Sequence, residues 1–149
     1  MICYIQWLIC GTGINKIRFS LGGIMISKEE LAVQIEKINQ LPEEDQRYLY
    51  GECDKWCLEN FEAGLRIVAI MERDNHENGI THSYLRNLDN GLCYDVRGES
   101  GCDEEIIAYT GVDYYSNNIE EYIFDNIKDF KKFLKWVDFE VMREYYLAG

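Results

Sequence analysis

Hydrophobic spacing divides the chain into stretches with different periods. Leu31, Ile35 and Ile38 recur at helical intervals behind Ser27 and Glu30, a Ser-x-x-Glu capping pattern, so a helix is expected to open at Met25-Ile26-Ser27. Leu41-Pro42-Glu43-Glu44 reads as a turn into a second, short helix, with proline at its first position and acids on its positive end; Gly51 ends it. A third helix is expected from about Cys53 to Glu62, closed by Gly64. The β-branched run from Leu65 to Glu72 predicts a buried strand, and Arg73 to Gly79 a polar loop. Ile80 to Arg86 and Leu92 to Val96 read as two strands joined by a hairpin turn at Asp89-Asn90-Gly91. Beyond Gly98 the chain reads as loop-rich, with a short helix over Glu104 to Tyr109. A long amphipathic helix follows over Lys128 to Leu147, with Phe130, Phe133, Leu134, Val137, Val141 and Tyr145 on its apolar side.

The front of the chain follows a different pattern. Ile2 to Cys10 is a β-type run broken by Gly11-Thr12-Gly13, and Ile14 to Leu21 alternates weakly before Gly22-Gly23. Residues 1–24 therefore read as a peripheral N-terminal extension, with Met25 as an alternative natural start. Gly11-Thr12-Gly13 does not continue into a phosphate-binding pattern. Together the elements predict an α+β fold in one domain of 149 residues, a helical front half packed on a small antiparallel sheet. A chain of this length buries roughly two-thirds of its unfolded surface.

Charge narrows the range of functions. Fifteen basic against 27 acidic side chains give a net charge of −12, which repels nucleic acid and anionic membrane surfaces. The stretch from Asp95 to Asp129 holds ten acidic residues and only two basic ones, Arg97 and Lys128. It reads as a solvated face, or as a docking face for a basic partner or a mimic of a nucleic-acid backbone. Six cysteines (Cys3, Cys10, Cys53, Cys57, Cys93 and Cys102) sit mostly among apolar residues, and no secretory signal is evident. The expectation is a cytoplasmic protein with reduced thiols and no segment near the ~20 apolar residues of a membrane span.

The most specific chemistry is an ordered trio. Cys53 lies in Gly51-Glu52-Cys53-Asp54-Lys55-Trp56 at a helix start, His82 lies on one strand and Asp95 on the next. A helix N-terminus and a nearby imidazolium lower a thiol pKa to about 3.5–7.5. Gly51 leaves backbone room for a substrate. In a hairpin centred on Asn90-Gly91, His82 and Asp95 come roughly opposite each other, so a carboxylate fixes the imidazole tautomer. Each residue also has a plainer reading: a core cysteine, a structural histidine, a strand-end aspartate. Arg97 pairs with a local carboxylate or holds a substrate carboxylate. Trp56 is a core residue or walls a cleft, and Cys57, one turn past Cys53, is a core residue rather than a resolving thiol. A zinc set of Cys53, Cys57, His76 and His82 lacks a knuckle, so neither metal nor cofactor is expected. There is no Gly-x-Ser-x-Gly elbow for a serine hydrolase.

Residues 48–110, with Gly51-Glu52-Cys53, then His82-Ser83-Tyr84-Leu85-Arg86, then Tyr94-Asp95-Val96-Arg97-Gly98, resemble the papain-like superfamily in its transglutaminase-like and NlpC/P60-like branches. They are also similar to a group of bacterial and phage proteins with a Gly-x-Cys helix start and a His…Asp-aliphatic-Arg-Gly hairpin. The resemblance implies Cys53 as nucleophile, His82 as general base and acid, and Asp95 as the orienting residue. It also implies an oxyanion donor upstream of the cysteine. Gln46 is the nearest side-chain amide, and the backbone N–H of Cys53 is the alternative. The expected activity is acyl transfer from an amide or ester to water or an amine, on a basic protein or amine substrate. The competing expectation is an acidic, non-catalytic, phage- or element-encoded binding or inhibitor protein that uses the papain-like frame as a scaffold and engages a host protein through its aromatic-rich surface.

Overall fold

A computed structural model of the chain describes the backbone of residues 16–18 and 25–148, with side chains from Ser27 to Arg143. The expectations for residues 1–15 and 19–24 lie outside the described residues. Lys16–Arg18 (β1) pairs antiparallel with Met25–Ser27 (β2), so the three residues before the first helix are extended rather than helical. Ser27 then caps α1, Lys28–Gln40. Its hydroxyl accepts from the Glu30 N–H at 3.0 Å and the Glu30 carboxylate accepts from the Ser27 N–H at 3.3 Å, so the expected capping box is formed.

The segment after Pro42 is not an α-helix but a 3₁₀ turn, Glu43–Tyr48, with Pro42 at its cap rather than its first position. It leads through Gly51 (φ 125°) into α2, Cys53–Asn60. Strand β3, Leu65–Glu72, takes the bounds its β-branched run predicts. A 3₁₀ turn at His76–Asn78 precedes β4, Ile80–Asn87. Strand β5 is short, Cys93–Asp95, and is followed by a strand where a loop was expected, β6, Gly98–Ser100. Then come α3, Asp103–Ile107, a 3₁₀ turn at Ala108–Thr110, a further strand absent from the sequence reading, β7, Ile119–Phe124, and α4, Ile127–Ala148.

The fold is α+β. Five antiparallel strands run in the order β6-β5-β4-β3-β7. Cross-strand pairs Val68↔Tyr84 and Ile70↔His82 assign those four residues to one face. On that face Val68, Ile70, Tyr84 and Cys93 pack with Ile106 and Ile107 of α3. The other face, with Ile67, Ala69, Met71 and Leu85, is covered by Phe130, Phe133 and Val137 of α4 and Cys57 of α2. A third cluster joins Leu31 and Ile38 of α1 to Leu49, Ala108 and Tyr109. Among the described residues, no helix is long and apolar enough to cross a membrane.

Candidate active site

The turn after β5 organises the acidic side of the site. Asp95 pairs with Gly98, whose φ of 96° suits glycine, and the Asp95 Oδ1 accepts from the Arg97 N–H at 2.8 Å, an Asx turn. This turn folds the Arg97 side chain back onto its own strand. Nε lies 3.1 Å from Oδ1 and Nη2 2.6 Å from Oδ2 of Asp95, while Nη2 and Nη1 also donate to the Ile106 carbonyl (2.5 Å) and the Gln34 amide oxygen (3.3 Å). Of the two readings of Arg97, the geometry is that of the local pair: its side chain is 1 % exposed and its donors are turned inward.

Register decides whether the carboxylate reaches the imidazole. Strands β4 and β5 pair as Leu85↔Tyr94 and Arg86↔Cys93, not about an Asn90-Gly91 centre. Continuing that register sets Asp95 across from Tyr84, so His82 is its diagonal neighbour on the same face rather than directly opposite. The diagonal is short enough. Asp95 Oδ2 lies 2.8 Å from His82 Nε2.

On the third side, the first turn of α2 brings Cys53 to the same imidazole. There His82, with the hydroxyl and main chain of Ser83, is the neighbour that acts on the thiol. Because β5 spans only three residues, these positions of β4 lie beyond its last cross-strand pair, where the start of α2 packs. Cys57, one turn further along, shares the Ser83 hydroxyl (Sγ–Oγ 3.7 Å) and is fully buried. Burial alone pushes the Cys53 thiol up. The His82 hydrogen bond and charge, with Ser83, outweigh it and hold the thiol below its ordinary value. Burial likewise disfavours charge on His82, but Asp95 and Cys53 together raise its pKa. Asp95 is held far below the usual carboxylate range by His82 and Arg97 despite its burial. The three shifts are mutually consistent: each group favours the charged form of its neighbour.

Two residues that sequence reading did not single out belong to this cluster. Ser83 is one. The other is Tyr109, whose Oη lies 3.0 Å from His82 Nδ1 and 2.8 Å from the Leu49 carbonyl. Its ring stands edge-on to the imidazole, and the Arg97 guanidinium lies 4.6 Å from its centre. Two expected site residues lie elsewhere. The Gln46 amide turns to the Leu41 carbonyl at 3.5 Å, closing its own 3₁₀ turn. Trp56 lines an open groove of about 420 Å³ with Leu65, Leu85 and Tyr94. His76, from the zinc alternative, is bound to Glu120 instead. The site is closed: Cys53 is 6 % exposed and His82 is 0 % exposed. No protein-family model, curated protein or solved structure matches the chain.

Proposed function

We propose that this chain is a cysteine-dependent acyl-transfer enzyme of papain-like type, an amide hydrolase, deamidase or transamidase. The observation that carries the reading is one buried imidazole, held by Asp95 at 2.8 Å, that the start of α2 sets beside the Cys53 thiol closely enough for each to shift the other's titration. That is the arrangement a thiol nucleophile needs. Cys53 thiolate attacks an amide or ester carbonyl and expels the leaving group, which takes a proton from His82. The acyl thioester then passes to water or an amine as His82 removes the acceptor's proton. Asp95 orients the ring and stabilises its charged form. The strongly acidic surface favours a basic protein or an amine as substrate, and free thiols at Cys53, Cys57, Cys93 and Cys102 suit a reducing, cytoplasmic setting.

A test needs no known substrate. Iodoacetamide at neutral pH, read by peptide mass spectrometry, should label Cys53 at least tenfold faster than Cys93 or Cys102, and His82→Gln should abolish that excess. Labelling no faster than in denatured protein would sink the reading. One observation favours the second reading, an acidic binding or inhibitor protein for a host partner. The thiol and imidazole are closed off while Tyr50, Tyr115, Trp136 and Phe139 present large apolar surfaces outward. A partner that is retained by Cys53→Ala as well as by the unaltered chain, and released by salt, would support it.

A further inference from the structure

The shared thiol–imidazole contact on which the proposed function rests leaves open what holds its proton in place. His82 has two ring nitrogens and three polar neighbours. Asp95 occupies Nε2, Tyr109 Oη lies 3.0 Å from Nδ1, and Cys53 acts on the same ring. Tyr109 keeps its own proton, because burial and the nearby Cys53 charge push its hydroxyl well above the ordinary range. That one proton faces two acceptors. The Leu49 carbonyl, 2.8 Å away in a residue 4 % exposed, can only accept. With the O–H on Leu49, the oxygen offers only lone pairs to Nδ1, and the contact is a hydrogen bond only when Nδ1 carries hydrogen. An ionised Asp95 makes the same demand of Nε2. With the O–H on Leu49, then, all three contacts are hydrogen bonds only when both ring nitrogens carry hydrogen.

We propose that Tyr109 is a positioning residue. Its hydroxyl, anchored on the Leu49 carbonyl, holds a proton on His82 Nδ1 and so keeps Cys53 anionic until the reaction draws that proton away. The proton on Nδ1 is the one released by the Cys53 sulfur, so the transfer leaves the site neutral overall. When the leaving group takes it, the Tyr109 O–H rotates from Leu49 to the bare Nδ1 and satisfies the neutral ring. The hydroxyl thus regulates the site by serving both protonation states with one donor. Its ring is fixed for this task by Arg97 at 4.6 Å and by Tyr50, edge-on at 6.1 Å. The other titratable groups near the pair are Asp95 and Arg97 of the β5–β6 turn, Tyr84 of β4, Cys57 and Asp54 of α2, and Tyr50 just before it. Tyr109→Phe removes one oxygen and leaves all of them in place.

The experiment is the pH profile of Cys53 alkylation by iodoacetamide from pH 4 to 9, in the full chain and in Tyr109→Phe. Loss of one hydrogen bond to a charged group should move the midpoint up by about one pH unit, with roughly tenfold slower alkylation on the acid side. Coincident profiles around an activated wild-type thiol would overturn the role of Tyr109 and leave the nucleophile standing. A wild-type thiol without excess reactivity would overturn both. Should Tyr109→Phe not fold, the ¹⁵N spectrum of histidine-labelled wild type at pH 7 decides. Two protonated nitrogens on His82 support the inference, and one bare nitrogen refutes it.

Discussion

At the scale of single residues, the most consequential buried charge is Arg97. It joins the β5–β6 turn to α1 through Gln34 and to the end of α3 through the Ile106 carbonyl, and it pairs with Asp95 alongside His82. Breaking a buried pair by removing one partner leaves an uncompensated charge, which costs about 3–5 kcal/mol. Arg97→Met is expected to lower stability by that amount in urea unfolding. The double variant Asp95→Asn/Arg97→Met should lose less than the two single variants summed. Additive losses would show that the pair is not coupled. The trio and the Asp-x-Arg-Gly turn were legible because they are rare residue types in local patterns with their own geometry. Tyr109 was not, being one of 11 tyrosines whose meeting with His82 depends on how a 3₁₀ turn packs. Gln46 was misplaced for a related reason. Chain proximity to Cys53 says nothing about which way a tight turn points its amide.

At the scale of elements, a polar clasp fastens α4 to the sheet. His76, on the turn before β4, bonds Glu120 of β7 at 2.5 Å through Nε2 and faces Glu140 of α4 at 3.6 Å through Nδ1. Glu120 is the main cause that raises the His76 pKa above its ordinary value, against a smaller opposing effect of burial. A raised folded-state pKa stabilises fully below the unfolded value of about 6.5, and that contribution disappears as pH rises through the folded value. His76→Gln should therefore lower Tm most below the unfolded value of about 6.5 and progressively less as pH rises through the folded one, read by thermal unfolding at several pH values. A pH-independent difference would show that packing against Trp136, 5.9 Å away, is what the variant loses. The clasp also shows why β7 was hard to read. Ile119-Glu120-Glu121-Tyr122-Ile123-Phe124 interrupts its alternation with paired glutamates, because Glu120 serves His76 and Glu121 serves Arg86. Gly98-Glu99-Ser100 has no apolar period at all and becomes a strand because the Asp95 turn delivers it there. By contrast, β3 and α1 were plain in the sequence. Each carries a long uniform pattern, and α1 adds its own cap.

At the scale of the whole molecule, net charge and the buried ionic groups act over different pH ranges. A charge of −12 on 149 residues is self-repelling at neutral pH, and the repulsion falls as carboxylates protonate toward a pI near 4.5. His76 and His82 work in the same direction, since both have raised folded values and contribute most at lower pH. Asp95 opposes them. Its depressed folded value stabilises above the unfolded value of about 3.9, and this support is lost as pH falls through the folded one. The urea midpoint should therefore rise from pH 8 to about pH 5.5 and fall below about pH 4, with Asp95→Asn flattening the acid limb. Salt separates the causes of the rise. At 0.5 M salt the screening length is only about 3–5 Å, so surface repulsion is largely removed while the buried pairs are not. If repulsion dominates, salt should raise the midpoint at pH 8 and close most of the gap to pH 5.5. A gap that survives salt but vanishes in His76→Gln would assign the pH dependence to the clasp on α4 instead.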